Sequence, residues 1–247
     1  MKNQLRAFWS SDTSLTILLW TLGITIFFVI PVLVLLGAPE WERAVAALFF
    51  TVLVASGAYS VWSRAEVRRL VVVLAGAPLV MLWIEIAYHP PLLSLVSGAL
   101  RLLLVGLFSA VLIARVLAPG PVTRARIKGA LAVYLLIGVL FEEGYRALSI
   151  AYPGAITVHA SNSLSIKFTA ELLYFSFSTM TTAGYGDIIP LHPLARSLAN
   201  LEAITGQLYI VLLIGRLLTL HMAQDEPTEG GLEVDRTTSP RRPYREG

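Results

Sequence analysis

Residues 168–190 read FTAELLYFSFSTMTTAGYGDIIP, and the organisation of the whole chain follows from this stretch. Its first half has the apolar and aromatic pattern of a short helix, which we place at Lys167 to Thr179. The helix leads directly into the loop TTAGYGD at 181–187. Because glycine lacks a Cβ, Gly184 and Gly186 let this loop turn successive backbone carbonyls toward one axis.

A ring of carbonyls is the environment that a potassium ion requires, since the ion leaves water only where other oxygens replace its hydration shell. Several copies of one loop around a common axis can supply that ring. The Thr182 hydroxyl adds an oxygen to the deepest level. The residues therefore predict a cation path built from loop backbone.

The run Thr182 to Asp187 resembles the pore signature of the potassium channel superfamily, most closely the bacterial two-span pore module, here preceded by four extra spans. The family pattern is Thr-Val/Ile-Gly-Tyr-Gly-Asp, and Ala183 replaces its branched residue. The smaller side chain bears on the rigidity of the filter more than on ion coordination. A glycine-rich turn that coordinates nothing is the alternative. The resemblance implies potassium binding by a filter made of Thr182, Ala183, Gly184, Tyr185 and Gly186, with the ions held by the carbonyls of the first four and the Thr182 hydroxyl.

The resemblance also implies supports behind the filter. Tyr174 and Phe175 stand where the family has an aromatic cuff and would brace Tyr185, unless they are ordinary lipid-facing or core aromatics. Ser178 stands where some members have a glutamate bonded to the filter aspartate, so that support for Asp187 is absent or comes from elsewhere. The predicted supporting residues are Asp187, Thr181, Ser178, Tyr174, Phe175 and Glu202.

Composition indicates an integral membrane protein. Of 247 residues, 56% are hydrophobic and 14% charged, which leaves too little polar surface to cover a soluble globule. Crossing about 30 Å of hydrocarbon takes roughly 20 helical residues. Apolar stretches of that length occur at about 14–36, 43–62, 68–88, 92–117, 127–148 and 195–220. We predict an all-α membrane protein with six transmembrane helices, and a re-entrant pore helix and filter loop between the fifth and sixth.

The basic residues predict the orientation of these spans. Fourteen of the nineteen lysines and arginines fall in the termini and the even-numbered connections. By the positive-inside rule both termini are cytoplasmic, and the filter loop enters from outside. We expect a multi-pass protein of a cell membrane, such as a bacterial inner membrane. Because the basic clusters are explained by orientation, we expect no nucleic-acid partner.

The chain divides into three predicted parts. Residues 1–120 form a four-helix membrane domain of unknown role, 121–222 the pore domain, and 223–247 a disordered cytoplasmic tail. The fourth span carries Arg101 and Arg115, fourteen positions apart, instead of arginine at every third position. The pattern of a voltage sensor is therefore missing.

Two residues of the sixth span invite a functional interpretation. Gly206 lies twenty-four residues after Thr182, where the family has its inner-helix hinge, and a mid-helix glycine serves either as a gating hinge or for close approach to the pore helix. Glu202 lies one turn earlier, at a depth where a carboxylate is functional by default. We predict that it bonds the back of the pore helix or filter, unless it lies near enough to the outer surface to stay hydrated.

Other charged residues predict ion pairs. Glu142 and Glu143 precede Arg146 by four and three residues, a spacing that pairs them on one helical face. We interpret this group as structural, although a role in attracting cations is open. Glu85 and Arg101 can pair if their helices are adjacent and antiparallel.

The leading functional prediction is a potassium-selective channel that conducts passively through a homotetrameric pore, since one loop per chain requires four chains around an axis. The alternative is a membrane sensor or assembly protein whose degenerate pore is non-conducting or non-selective. An enzyme is disfavoured because no span carries a His/Glu metal pair or a nucleophile with a base. The expected partners are potassium ions as permeant ions, the lipid bilayer and the other copies, with no cofactor.

Overall fold

The computed structural model describes residues 15–37, 91–116, 123–159 and 165–225. The predicted spans at 43–62 and 68–88, Glu85 and residues 226–247 of the tail lie outside these ranges. The described chain is helical and contains no strand, apart from an isolated antiparallel bridge between Ile156 and Pro190. Its helices are α1 (Leu15–Leu36), α2 (Pro91–Val116), α3 (Arg124–Ala151), α4 (Ile166–Met180) and α5 (Pro193–Asp225).

Three of these helices are long and apolar enough to cross a membrane: Leu15–Leu36, Val96–Ala114 and Pro193–Gly215. They fall on the first, fourth and sixth predicted spans. The fifth predicted span forms the 28-residue α3, whose charged residues lower its hydropathy. The short α4 coincides with the predicted pore helix to within one residue at each end.

Local sequence sets the ends of the helices. The Ser165 hydroxyl caps α4 by accepting a hydrogen bond from the Phe168 backbone N–H at 3.2 Å. Thr123 caps α3 in the same way, accepting from Arg126 at 3.3 Å. These side chains satisfy amide groups that have no partner within the helix. Pro193 begins α5, where its missing N–H costs nothing.

Helix α3 lies at the centre of the described core. Its residues Ala132, Val133 and Leu136 are fully buried, and α2, α4 and α5 all contact it. A Cβ on Gly138 would lie 2.7 Å from the Phe177 ring of α4, so glycine is what allows this close packing. Helix α4 therefore packs directly against α3.

Helix α1 also contacts α4. A π-helical segment, Thr25–Val29, interrupts it, and the Phe27 ring lies 6.1 Å from that of Phe177. Beyond this segment, Ile30 and Leu33 pack in a cluster with α4. Helix α4 thus contacts helices from both the predicted pore domain and the segment before it.

Candidate functional site

The loop after α4 alternates in backbone handedness. Thr182, Gly184 and Gly186 have φ angles of +59°, +54° and +82°, and Thr182 is the one non-glycine residue with positive φ among those that the structure describes. Reversing the handedness at every second residue turns successive carbonyls to the same side, whereas a β-strand would alternate them. All of residues 181–187, Ala183 included, are exposed in the single chain.

The end of α4 determines which way the loop faces. The Ser178 carbonyl accepts hydrogen bonds from the N–H groups of Ala183, at 2.9 Å, and Gly184, at 3.2 Å. Thr181 is tied down as well, since its hydroxyl donates to the Phe177 carbonyl at 2.6 Å. The N–H groups therefore point at the helix end. The carbonyls of residues 182–185 accept no hydrogen bond from the described part of the chain.

The tyrosine of the loop is stacked on a tyrosine of α4. The rings of Tyr174 and Tyr185 lie 5.7 Å apart and nearly parallel, at 9°. The Tyr174 hydroxyl also lies close enough to the Asp187 carboxylate to interact with it electrostatically. A role of Tyr174 or Ser178 in supporting Asp187 stays a prediction. Phe175 makes its ring contact with Tyr145 of α3, edge to face at 4.9 Å.

The segment after the loop is fixed to the connection that follows α3. Thr157 and Ile189 exchange backbone and side-chain hydrogen bonds, including one from the Ile189 N–H to the Thr157 hydroxyl at 2.8 Å. The Ala155 carbonyl accepts from the N–H groups of Leu191 and His192. Both ends of the loop are therefore anchored.

Glu202 joins three helices at a fully buried position. The Tyr145 hydroxyl of α3 donates to one carboxyl oxygen at 2.5 Å, and the Ser176 hydroxyl of α4 lies 2.5 Å from the other. Ser176 also lies 2.8 Å from the Gly138 carbonyl oxygen. Both carboxyl oxygens thus have a hydroxyl partner, as burial of such a group requires. The sequence predicted that Glu202 bonds the back of the predicted pore helix or filter, but it did not predict the partners Tyr145 and Ser176. The one sequence feature that could have indicated them is a polar atom within an apolar helix.

Gly206 lies against the end of α4. A Cβ at this position would lie 2.4 Å from the Met180 carbonyl oxygen and 2.5 Å from its side chain. Helix α5 continues through Gly206 to Asp225. Close approach is therefore sufficient to explain the glycine, and a hinge there stays a prediction.

A cluster of buried charges lies beside the first turn of α4. Arg101 donates to Glu143 at 3.0 Å, and Arg146 bonds Glu142 and lies 3.7 Å from Glu143. The sequence predicted the pairs within α3. It did not predict that Arg101 of α2 reaches Glu143, because a spacing of 42 residues carries no local signal.

Two comparisons with known proteins find related sequences. Residues 146–222 match a family model described as an ion channel. The inward rectifier potassium channel Kirbac3.1 of Paramagnetospirillum magnetotacticum is 36% identical over 80 residues, which cover 31% of this chain and 23% of that protein. The two findings support an ion channel. No solved structure matches the chain.

The matched region contains α4, the loop and α5 up to residue 222, and so includes every predicted filter and support residue. Helices α1 and α2 lie outside it, as does most of α3. The chain covers less than a quarter of the length of its relative. The support for a channel therefore rests on this region and points away from an enzyme.

Proposed function

We propose that the chain conducts potassium ions passively and selectively across a cell membrane, through a pore formed by four copies. The observation that carries this proposal is the alternation of positive φ at Thr182, Gly184 and Gly186. It gives the loop four successive carbonyls that are free to replace the hydration shell of an ion. In this proposal α4 is the re-entrant pore helix and the loop is the selectivity filter.

The electrostatics of α4 favour a cation in front of its end. A helix C-terminus carries about half a negative charge, and four such ends would face the same central cavity. The Ser178 carbonyl engages the loop itself, so the filter begins directly at the helix terminus. A monovalent cation that has lost part of its water would be stabilised there.

The surface of α5 is consistent with a tetramer in lipid. Its exposed residues are largely apolar and recur at helical spacing: Leu201, Ile204, Leu208, Val211 and Ile214. A single chain cannot enclose a ring of carbonyls, and one loop per chain requires closed four-fold symmetry. The distribution of basic residues supports a cytoplasmic position for both termini.

The test is ion flux through the purified protein in a planar bilayer. With potassium on one side and an equal concentration of sodium on the other, we expect a reversal potential far from zero, with the sign that potassium permeation requires. Equal permeability to the two ions would reject the selective filter, and an absence of current from assembled tetramers would favour the non-conducting alternative. Cross-linking or mass measurement in detergent tests the tetramer separately.

A further inference from the structure

The charged cluster links the segment before the pore domain to the start of the pore helix. Arg101 of α2, Glu142, Glu143 and Arg146 of α3 are each more than nine-tenths buried. Buried charges are tolerated only where partners offset the loss of water, so the positions of these groups are mutually dependent.

The contacts form a relay. The Arg101 Nε donates to Glu143 Oε1 at 3.0 Å, and Glu143 Oε2 lies 3.7 Å from Arg146 Nε. Arg146 then donates to the hydroxyl of Thr169, in the first turn of α4, at 2.6 Å. The Arg146 guanidinium also lies over the Phe168 ring, 5.9 Å from its centre. A chain of polar contacts thus runs from α2 to the N-terminal turn of the pore helix.

We propose that Arg101 is a positioning residue of the pore, which acts through Glu143 and Arg146 to hold the first turn of α4 in place. This inference rests on the proposed function for its effect on conduction. It gives α2, which lies outside the region matched to ion channels, a defined task at the pore.

The shared carboxylate of Glu143 explains how the effect is transmitted. Glu143 accepts a hydrogen bond from Arg101 through Oε1, whereas its Oε2 lies 3.7 Å from Arg146 Nε without a hydrogen bond. Among the described residues, loss of the Arg101 charge therefore leaves Arg146 as the cation paired with Glu143. A stronger pull on Arg146 competes with its bonds to Glu142 and Thr169. The first turn of α4 then loses a partner while Ser176 and Met180 still hold the rest of the helix.

The first experiment measures amide hydrogen exchange of the full chain in detergent or nanodiscs. Arg101→Gln is expected to speed exchange at residues 166–170 by roughly 2- to 30-fold, the range that mutations along coupled networks produce. Arg101→Lys keeps the charge, so its exchange rates at residues 166–170 are expected to stay close to those of the parent. The matched control is Ser109→Ala, which removes a buried hydroxyl on the same helix that donates only to its own backbone at Val105.

Thr169→Val provides a variant that leaves α2 unaltered and keeps the relay testable if Arg101→Gln does not assemble. Because coupling between two sites is reciprocal, it is expected to speed exchange around Arg101, at residues 97–104. Unchanged exchange at both ends of the relay would overturn the proposal. This measurement does not depend on conduction, so it decides the relay even if the proposed channel function fails.

The second experiment records single channels in planar bilayers. Arg101→Gln and Thr169→Val are each expected to change the mean open-burst duration by roughly 2- to 30-fold, and the double variant to change it no further than the larger single effect. Arg101→Lys should restore the parent behaviour. Two effects that simply multiply would show that Arg101 acts on the fold alone and would contradict the relay.

Discussion

The Met180 carbonyl oxygen lies 2.4 Å from the point that a Cβ on Gly206 would occupy. Real side chains do not approach a backbone oxygen so closely, and backbone cannot swing aside as a flexible side chain can. Since Met180 is the last residue of α4, α5 contacts α4 at the point where the loop 181–187 begins. Movement of α5 can therefore reach this loop without passing through any other described element.

We expect Gly206→Ala to force α5 and the end of α4 apart. Overpacking of this kind costs about 1–3 kcal/mol, so the thermal stability of the tetramer should fall and conduction should be impaired. Gly215→Ala is the matched control, because no atom lies within 4 Å of its Cβ position and alanine favours a helix by up to about 1 kcal/mol. A Gly206→Ala tetramer of parent stability with altered gating would instead favour a hinge.

Gly184→Ala should abolish selective conduction while tetramers still form. No neighbour lies within 4 Å of the added Cβ, but the φ of +54° is disfavoured for alanine by roughly 1–2 kcal/mol. Gly154→Ala is the control, since Gly154 has a φ of +84° and equally open surroundings in the connection after α3. Reversal potentials are compared for both variants. Parent-like selectivity in Gly184→Ala would argue against a filter at this loop.

The bonds of Glu202 predict a graded series. Glu202→Gln retains an acceptor for Tyr145 and a donor for Ser176, so stability should stay near that of the parent. Glu202→Ala leaves two buried hydroxyls without this partner and should cost about 1–3 kcal/mol or more. Tyr145→Phe should lie between them, at about 1 kcal/mol. The stability of each variant is measured by thermal unfolding of the detergent-solubilised protein. Equal stability of Glu202→Gln and Glu202→Ala would contradict the predicted order.

The sequence predicted the bounds of α4 and the position of the loop after it, because both depend on local signals. The glycine spacing at Gly184 and Gly186 and the aromatic run before it are readable from the chain. The positive φ of Thr182 could not be predicted from the sequence, since a β-branched residue disfavours it. In the fold, the Thr182 N–H bonds the Thr179 carbonyl near the end of α4. The local sequence pattern indicates which backbone conformations a residue can adopt, whereas its neighbours in the fold determine which one it has.

Contacts between segments that are distant in the chain could not be predicted from the sequence. The pairing of Arg101 with Glu143 and the bonding of Glu202 to Tyr145 span 42 and 57 residues, and no spacing rule connects them. Glu202 itself stood out because a carboxylate within an apolar span is rare. A charged residue in a span can thus be recognised as important from sequence, but its partner comes only from the fold.

Tyr174→Phe is expected to shorten the conducting state of the filter. The ring stacking on Tyr185 survives, while the hydroxyl that interacts with the Asp187 carboxylate is lost. Without that interaction, we expect the loop to leave its conducting conformation sooner. The decay of current during a sustained recording measures the lifetime of the conducting conformation. Tyr152→Phe also removes a tyrosine hydroxyl but keeps its ring stacked on His192, so its current should decay like that of the parent.

Voltage is expected to affect opening only weakly. Moving one elementary charge through 100 mV is worth about 2.3 kcal/mol, so steep gating needs many charges that move together. In the described part of the predicted fourth span, Arg101 is held by Glu143 at 3.0 Å and by Ser97 at 3.2 Å, which ties it to a neighbouring helix. Its displacement through the field would break a buried ion pair, which opposes such movement.

Conductance–voltage curves in planar bilayers should therefore be shallow, with the same slope in the parent and in Arg101→Gln even where burst duration differs. A slope of several charges per channel that disappears in Arg101→Gln would instead identify α2 as part of a voltage sensor.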